Sequence, residues 1–223
     1  MNNGFNVNHL MYLLHGASWT AGLSAAGFIG GGILGLVIAL GRVSPYLAIR
    51  LAVGAYVQLV QGTPLLILMF LAYFGISILG FNVPPLVAAS LAMIVYASAY
   101  LGEIWRGCIE AVPREQWEAA ECLSFSSNQR MVQIIIPQAV RIATPPTVGF
   151  LVQIVKNSSL ASVVGFVELA RAGQVINNTL FEPFLIFGIM AAMYFALCYP
   201  LSRWSGSLEQ KMNRGQKMML AEG

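Results

Sequence analysis

Apolar residues run along this chain in five long blocks, each near or beyond the roughly 20 residues that a helix needs to cross a bilayer. Residues 17–40 make the first. Within it Gly27, Gly31 and Gly35 stand four apart on one helical face, a doubled GxxxG track that lets two helix backbones approach closely in lipid. No Lys or Arg precedes Arg42, so this block lacks the positive leader of a secretory signal peptide and reads as a retained helix. The second block, 51–79, would be about 43 Å long as one helix, more than the ~30 Å hydrocarbon core. Pro64 removes a backbone donor in its middle and predicts a kink or break there. The third block, 84–105, is entered through Pro84 and Pro85. The fourth, 142–170, is interrupted by Lys156, Asn157, Ser158 and Ser159, a polar insert that fits a broken helix, and 183–202 make the fifth. The expected fold is all-α and integral to the membrane, with about five transmembrane helices.

Composition sharpens this picture. Of 223 residues 57% are apolar and 9% charged, where a soluble domain carries about 25% charge. Together with a mean hydropathy of +0.72, that excludes an ordinary soluble enzyme. The net charge of +3 is small and its basic residues are scattered, which excludes a nucleic-acid footprint. Cys108, Cys122 and Cys198 lie far apart with no metal-ligand spacing and read as apolar filler.

The basic residues do carry a direction. Arg42 and Arg50 follow the first block, Arg106, Arg114, Arg130 and Arg141 follow the third, and Arg203, Lys211, Arg214 and Lys217 follow the fifth. Arg171 stands on the opposite side. Basic loops stay in the cytoplasm, so the N-terminus is expected outside and the C-terminus inside. The expected organisation is an outer segment 1–18, a transmembrane domain 19–207 and a cytoplasmic tail 208–223.

One connection is out of proportion. Residues 106–141 form a loop far longer than the usual few residues, and Ile109, Val112, Trp117, Ala120, Leu123, Met131, Ile134 and Ile135 recur in it at largely helical spacing. We read two short amphipathic helices, about 113–123 and 126–136, with Pro113 suiting a first turn and Pro137 ending the second.

In this loop Glu118-Ala119-Ala120, three residues, Ser124, nine residues, Ile134 and Pro137 resemble the EAA motif of ABC importer permeases, whose pattern is E-A-A, three spacers, Gly, nine spacers, I-x-L-P. AYLGEIWRGCI at 99–109, QIVKNSSLASVVGFVEL at 153–169 and QGTPLL at 61–66 are similar to the branch that imports polar amino acids or close relatives such as opines. The resemblance covers about 19–207 and implies a type I ABC importer transmembrane domain in a bacterial inner membrane. It further implies a cytoplasmic ATPase dimer, a second permease subunit identical or homologous to this one, an extracytoplasmic solute-binding protein and a polar amino acid as substrate. Trp117, Glu118, Ala119, Ala120, Ser124, Ile134 and Pro137 would dock the ATPase. The chain has no G-x-x-x-x-G-K-[ST], so nothing in it is expected to bind ATP itself; the resemblance implies a subunit that is no enzyme and has no cofactor of its own, with ATP and magnesium on the partner.

The chain departs from the family pattern at three places. Ser124 replaces the motif glycine and bears a cost of about 1 kcal/mol if the turn needs a positive φ. Gln61 stands where the branch shows Arg, and Asn157-Ser158-Ser159 stands where it shows Asp-Thr-Ser. Candidate pathway residues are Gln58, Gln61, Thr63, Lys156, Asn157, Ser158 and Ser159. A lysine at a helix centre costs about 2.5–3.5 kcal/mol in lipid, so Lys156 should face protein or water. Glu103 and Arg106, three apart, are expected to pair structurally, with Glu168 and Arg171 repeating the arrangement. Competing readings are an ion-coupled secondary transporter, which would need an inverted repeat, a non-transporting scaffold, and a permease for another solute class.

Overall fold

A computed structural model describes residues 4–221, with side chains through Met212. The tail residues Arg214 and Lys217 therefore lie outside the described side chains. The helices are α1 Val7–Arg42, α2 Leu47–Gln61, α3 Leu65–Ile78, α4 Pro85–Glu110, α5 Arg114–Cys122, α6 Ser127–Val164, α7 Leu169–Leu180 and α8 Pro183–Ala221. Four of them, α1, α4, α6 and α8, are long and apolar enough to span a membrane, and the bent pair α2–α3 makes a fifth.

α1 begins ten residues earlier than the apolar block. Asn6 caps it by accepting from the His9 N–H, and the His9 ring accepts from the Asn6 N–H, so a polar start is stabilised by its own capping box. The glycine track does what its spacing predicts. Gly27, Gly31 and Gly35 are buried and lie on Met93, Ala97 and Leu101 of α4.

The break at Pro64 is sharper than a kink, for α2 and α3 meet at 98°. Pro113 precedes α5 with the fixed φ that suits a helix start, as expected. Pro137, however, does not end the second loop helix. That helix continues as α6, because the backbone widens to π geometry over Arg130–Ile135 just before the proline. The wider turn accommodates the missing N–H and the bulk of the ring. The long loop is thus mostly the ends of α4 and α6, with α5 between them. The polar insert is the expected break: α-helix gives way to 3₁₀ at Ser158–Val164, and Gly165, at φ +87°, ends it.

Four buried clusters hold the fold, the smallest of them Val152, Val155 and Cys198 between α6 and α8. The central one joins α1, α3, α4 and α6 through Leu23, Met69, Met93, Ala97 and Ile154. At the motif end Ile109, Val112, Ile135 and Ala139 pack under Trp117. At the far end Leu13, Leu169, Ala172, Ile176, Ile186 and Met190 join α1, α7 and α8.

Candidate functional site

α5 is an amphipathic helix too short to persist alone, and it is held by its apolar side. Ala120 is 1% exposed and Trp117 half-buried against the motif-end cluster, whereas Glu118 and Ala119 are exposed. The two motif alanines are therefore placed oppositely: Ala120 permits close packing within this chain, and Ala119 lies on the open surface. The Arg130 guanidinium lies 5.9 Å from the centre of the Trp117 ring and reaches the Glu121 carboxylate at 3.1 Å. It ties α5 to the start of α6, and Gln138 adds a 3.3 Å bond to Gln116. A cleft of about 690 Å³ results, bordered by Val112, Trp117, Glu118, Glu121 and Arg130.

Ser124 sits in the turn after α5 with φ +61°, so the turn does take the left-handed conformation and a serine occupies it. Ile134 is half-buried behind α5, and Pro137 is exposed. Of the motif residues, Glu118, Ala119 and Pro137 thus form the accessible edge, and Trp117, Ala120 and Ile134 support it.

Beside this surface the expected Glu103–Arg106 pair is present at 2.6 Å, and it belongs to a larger network. Arg42 at the end of α1 reaches Glu103 at 3.4 Å, and Arg106 also pairs with Glu110. Spacing within one helix could reveal Glu110 at i+4, but Arg42 arrives from another helix.

The pathway candidates form two separate groups. Gln61 donates to the Ala99 carbonyl at 3.4 Å, Thr63 donates to the Leu59 carbonyl at 2.8 Å, and Gln58 is exposed. In the second group Asn157 accepts from Gln153 at 3.2 Å, while Ser158 and Ser159 each donate at 2.8 Å to Val155 and Lys156 carbonyls. Lys156 is exposed. No hydrogen bond joins the groups among the described residues, and both border the same stretch of α4. There Tyr96 and Tyr100 stack with Phe150, the Tyr100 and Phe150 rings 5.6 Å apart and 12° from parallel. The sequence reading missed this aromatic wall, although the tyrosines' i,i+4 spacing was available as a signal.

Glu168 overturns one expectation: it does not pair with Arg171. Its backbone is extended and its side chain caps α7, accepting the N–H groups of Ala170 at 2.8 Å and Arg171 at 2.9 Å. It also accepts the hydroxyls of Tyr194 at 2.7 Å and Thr20 at 3.3 Å. The Arg171 guanidinium turns to Gln174 instead.

Comparison with known proteins agrees with this geometry. The description "binding-protein-dependent transport system inner membrane component" matches residues 31–214. The probable amino-acid ABC transporter permease protein YckA of Bacillus subtilis is 31% identical over 94% of this chain and 93% of its own length. The L-cystine transport system permease protein TcyB of the same organism is 32% identical over 89% of this chain and 86% of its own. A crystal structure of an amino acid ABC transporter with histidines superposes with a TM-score of 0.87 at 32% identity, covering 92% of this chain and 96% of that one. The MetNI methionine ABC transporter, at 17% identity, shares the fold with a TM-score of 0.74. The chain belongs to the family of binding-protein-dependent transport system inner membrane components: it is a permease subunit of an ABC importer, residing in the inner membrane, with ATP hydrolysis left to a separate subunit.

Proposed function

We propose that this permease imports a polar amino acid and is driven through α5. The observation that carries the coupling role is the division of labour on that helix: Trp117 and Ala120 are fastened to the chain's own core, while Glu118 and Ala119 are presented outward beside an open cleft. A partner groove that receives such a helix can push on it, and the push passes directly into α4 and α6. Ser124 shapes the turn, Ile134 the support behind it, and Pro137 extends the accessible edge. The substrate class rests on the relatives: YckA is described as an amino-acid permease, TcyB for L-cystine and GlnM of Bacillus subtilis as a probable glutamine permease.

In this reading two ATPase copies hold ATP and magnesium, and a solute-binding protein delivers the substrate from outside. A second permease subunit, this chain or a homologue, completes the pathway. The basic motif end faces the cytoplasm, which sets the N-terminus outside and the C-terminus inside. Lys156, exposed on the isolated chain at the helix break, faces water or the second subunit, with Gln58, Gln61, Thr63, Asn157, Ser158 and Ser159 supplying the pathway's other polar groups.

The test is the ATPase rate of the co-expressed complex in nanodiscs, with the binding protein and single amino acids added in turn. Stimulation by one or a few polar amino acids, only with the binding protein present, is expected. A complex that recruits no ATPase, or a rate that never responds, overturns the reading.

A further inference from the structure

Glu168 is fully buried, and no cation lies within ion-pairing distance of it among the described residues. Its carboxylate gathers donors from three helices: the first N–H groups of α7, Thr20 on α1 and Tyr194 on α8. Thr20 closes the loop by accepting the Leu169 N–H at 3.2 Å.

Packing joins the same helices. A Cβ at Gly16 of α1 would lie 2.9 Å from the Ala172 Cβ and 3.0 Å from the Leu169 backbone, so α1 meets α7 nearly backbone to backbone. On the other side, Gly173 leaves no room for a Cβ beside Met190 of α8. Apolar packing alone allows helices to slide, whereas hydrogen bonds to a carboxylate are strong and directional. Both α1 and α8 run on from this end of the bundle toward the motif end, where α5 docks.

We infer that Glu168 is a positioning residue for transport, locking α7, the first half of α1 and the start of α8 into one block that turns as a unit when the far end opens. This rests on the transport reading above. Motion imposed at the motif end then reaches α7 undiminished.

Two variants test the lock from opposite sides. Glu168→Asp keeps a standard capping side chain for the α7 N–H groups but, one methylene shorter, gives up Thr20 and Tyr194. Tyr194→Phe removes one of the same bonds from α8. Each is expected to assemble with the ATPase and retain basal hydrolysis, while stimulation by amino acid plus binding protein falls about fivefold, the lower end of ordinary coupling energies. The double variant is expected to fall no further than Glu168→Asp alone, since that change already breaks the Tyr194 bond.

Unchanged stimulation in both single variants overturns the inference. So do effects that multiply in the double variant, or a parallel loss of basal and stimulated rates with a lowered melting temperature, which marks a role in stability only. A wild-type complex that no amino acid stimulates overturns the transport reading and this inference with it.

Discussion

Gly31 on α1 lies directly over Ala97 on α4, with no room between them for a Cβ. Gly27 over Met93 and Gly35 over Leu101 repeat the relationship one turn away on either side. In lipid, where burying apolar surface drives little association, this close approach supplies the dispersion energy that holds the two helices together.

Gly31→Val should therefore destabilise the subunit by about 1–3 kcal/mol through overpacking, seen as a lower melting temperature and poorer recovery from detergent. Gly22, on the same helix with nothing within 4 Å of its Cβ position, is the control. A Gly22→Ala variant as damaged as Gly31→Val would show that glycine content matters rather than this seam.

Ser124 pays the strain that glycine avoids, at φ +61°. Ser124→Gly is expected to stabilise the loop by about 1 kcal/mol and to slow hydrogen exchange across α5, while Ser124→Val, β-branched at a left-handed position, should do the reverse. Equal exchange in all three would mean that the turn is held by its neighbours regardless of the residue.

Glu118 and Ala120 should fail differently, though they are two residues apart. Glu118→Lys reverses an exposed charge, so the subunit should keep its melting temperature and lose co-purification of the ATPase. Ala120→Leu forces a larger side chain into a site 1% exposed and should cost about 1–3 kcal/mol of stability before any partner is added. Full ATPase recovery with Glu118→Lys would remove this residue from the docking surface.

Glu103 serves two arginines, and Arg42 serves only one of the acids in the network. Glu103→Ala leaves Arg42 and Arg106 facing each other and is expected to cost about 1–3 kcal/mol, between the values for exposed and buried pairs, because these side chains are about a quarter exposed. Arg42→Ala should cost less. Thermal unfolding of the two variants at low and high salt checks the order, and an inverted order would place the main stabilisation in the α1–α4 bridge rather than around Glu103.

Much of this protein was legible in one dimension because the relevant physics is local. A bilayer demands uninterrupted apolar blocks, so the spans stand out. A proline lacks its N–H wherever it occurs, so the turn at Pro64 was foreseen, and a run of Lys156, Asn157, Ser158 and Ser159 in an apolar block predicted the helix break found there. The amphipathic helix α5 was visible too, from the spacing of Trp117 and Ala120, as was the resemblance carried by its motif.

What stayed hidden depended on which helices became neighbours. Pro137 looked like a stop because its missing donor is local, but the chain continues through it by widening to π geometry on a packed support. Arg42 lies 61 residues from the Glu103 that it bonds, and Thr20 lies 148 residues from Glu168. Glu168 and Arg171, three apart, looked like a pair; the fold buried the glutamate among hydroxyl and backbone donors and turned the arginine away. The sequence by itself determined where the apolar spans lie, where the second and fourth of them break and which loop carries the amphipathic motif helix, since those follow from backbone hydrogen bonding, apolar block length and apolar spacing. Tertiary structure alone decided which charges and hydroxyls meet across helices, because a carboxylate's partner is whatever donor the packing brings within about 3 Å, and no spacing along the chain encodes that distance.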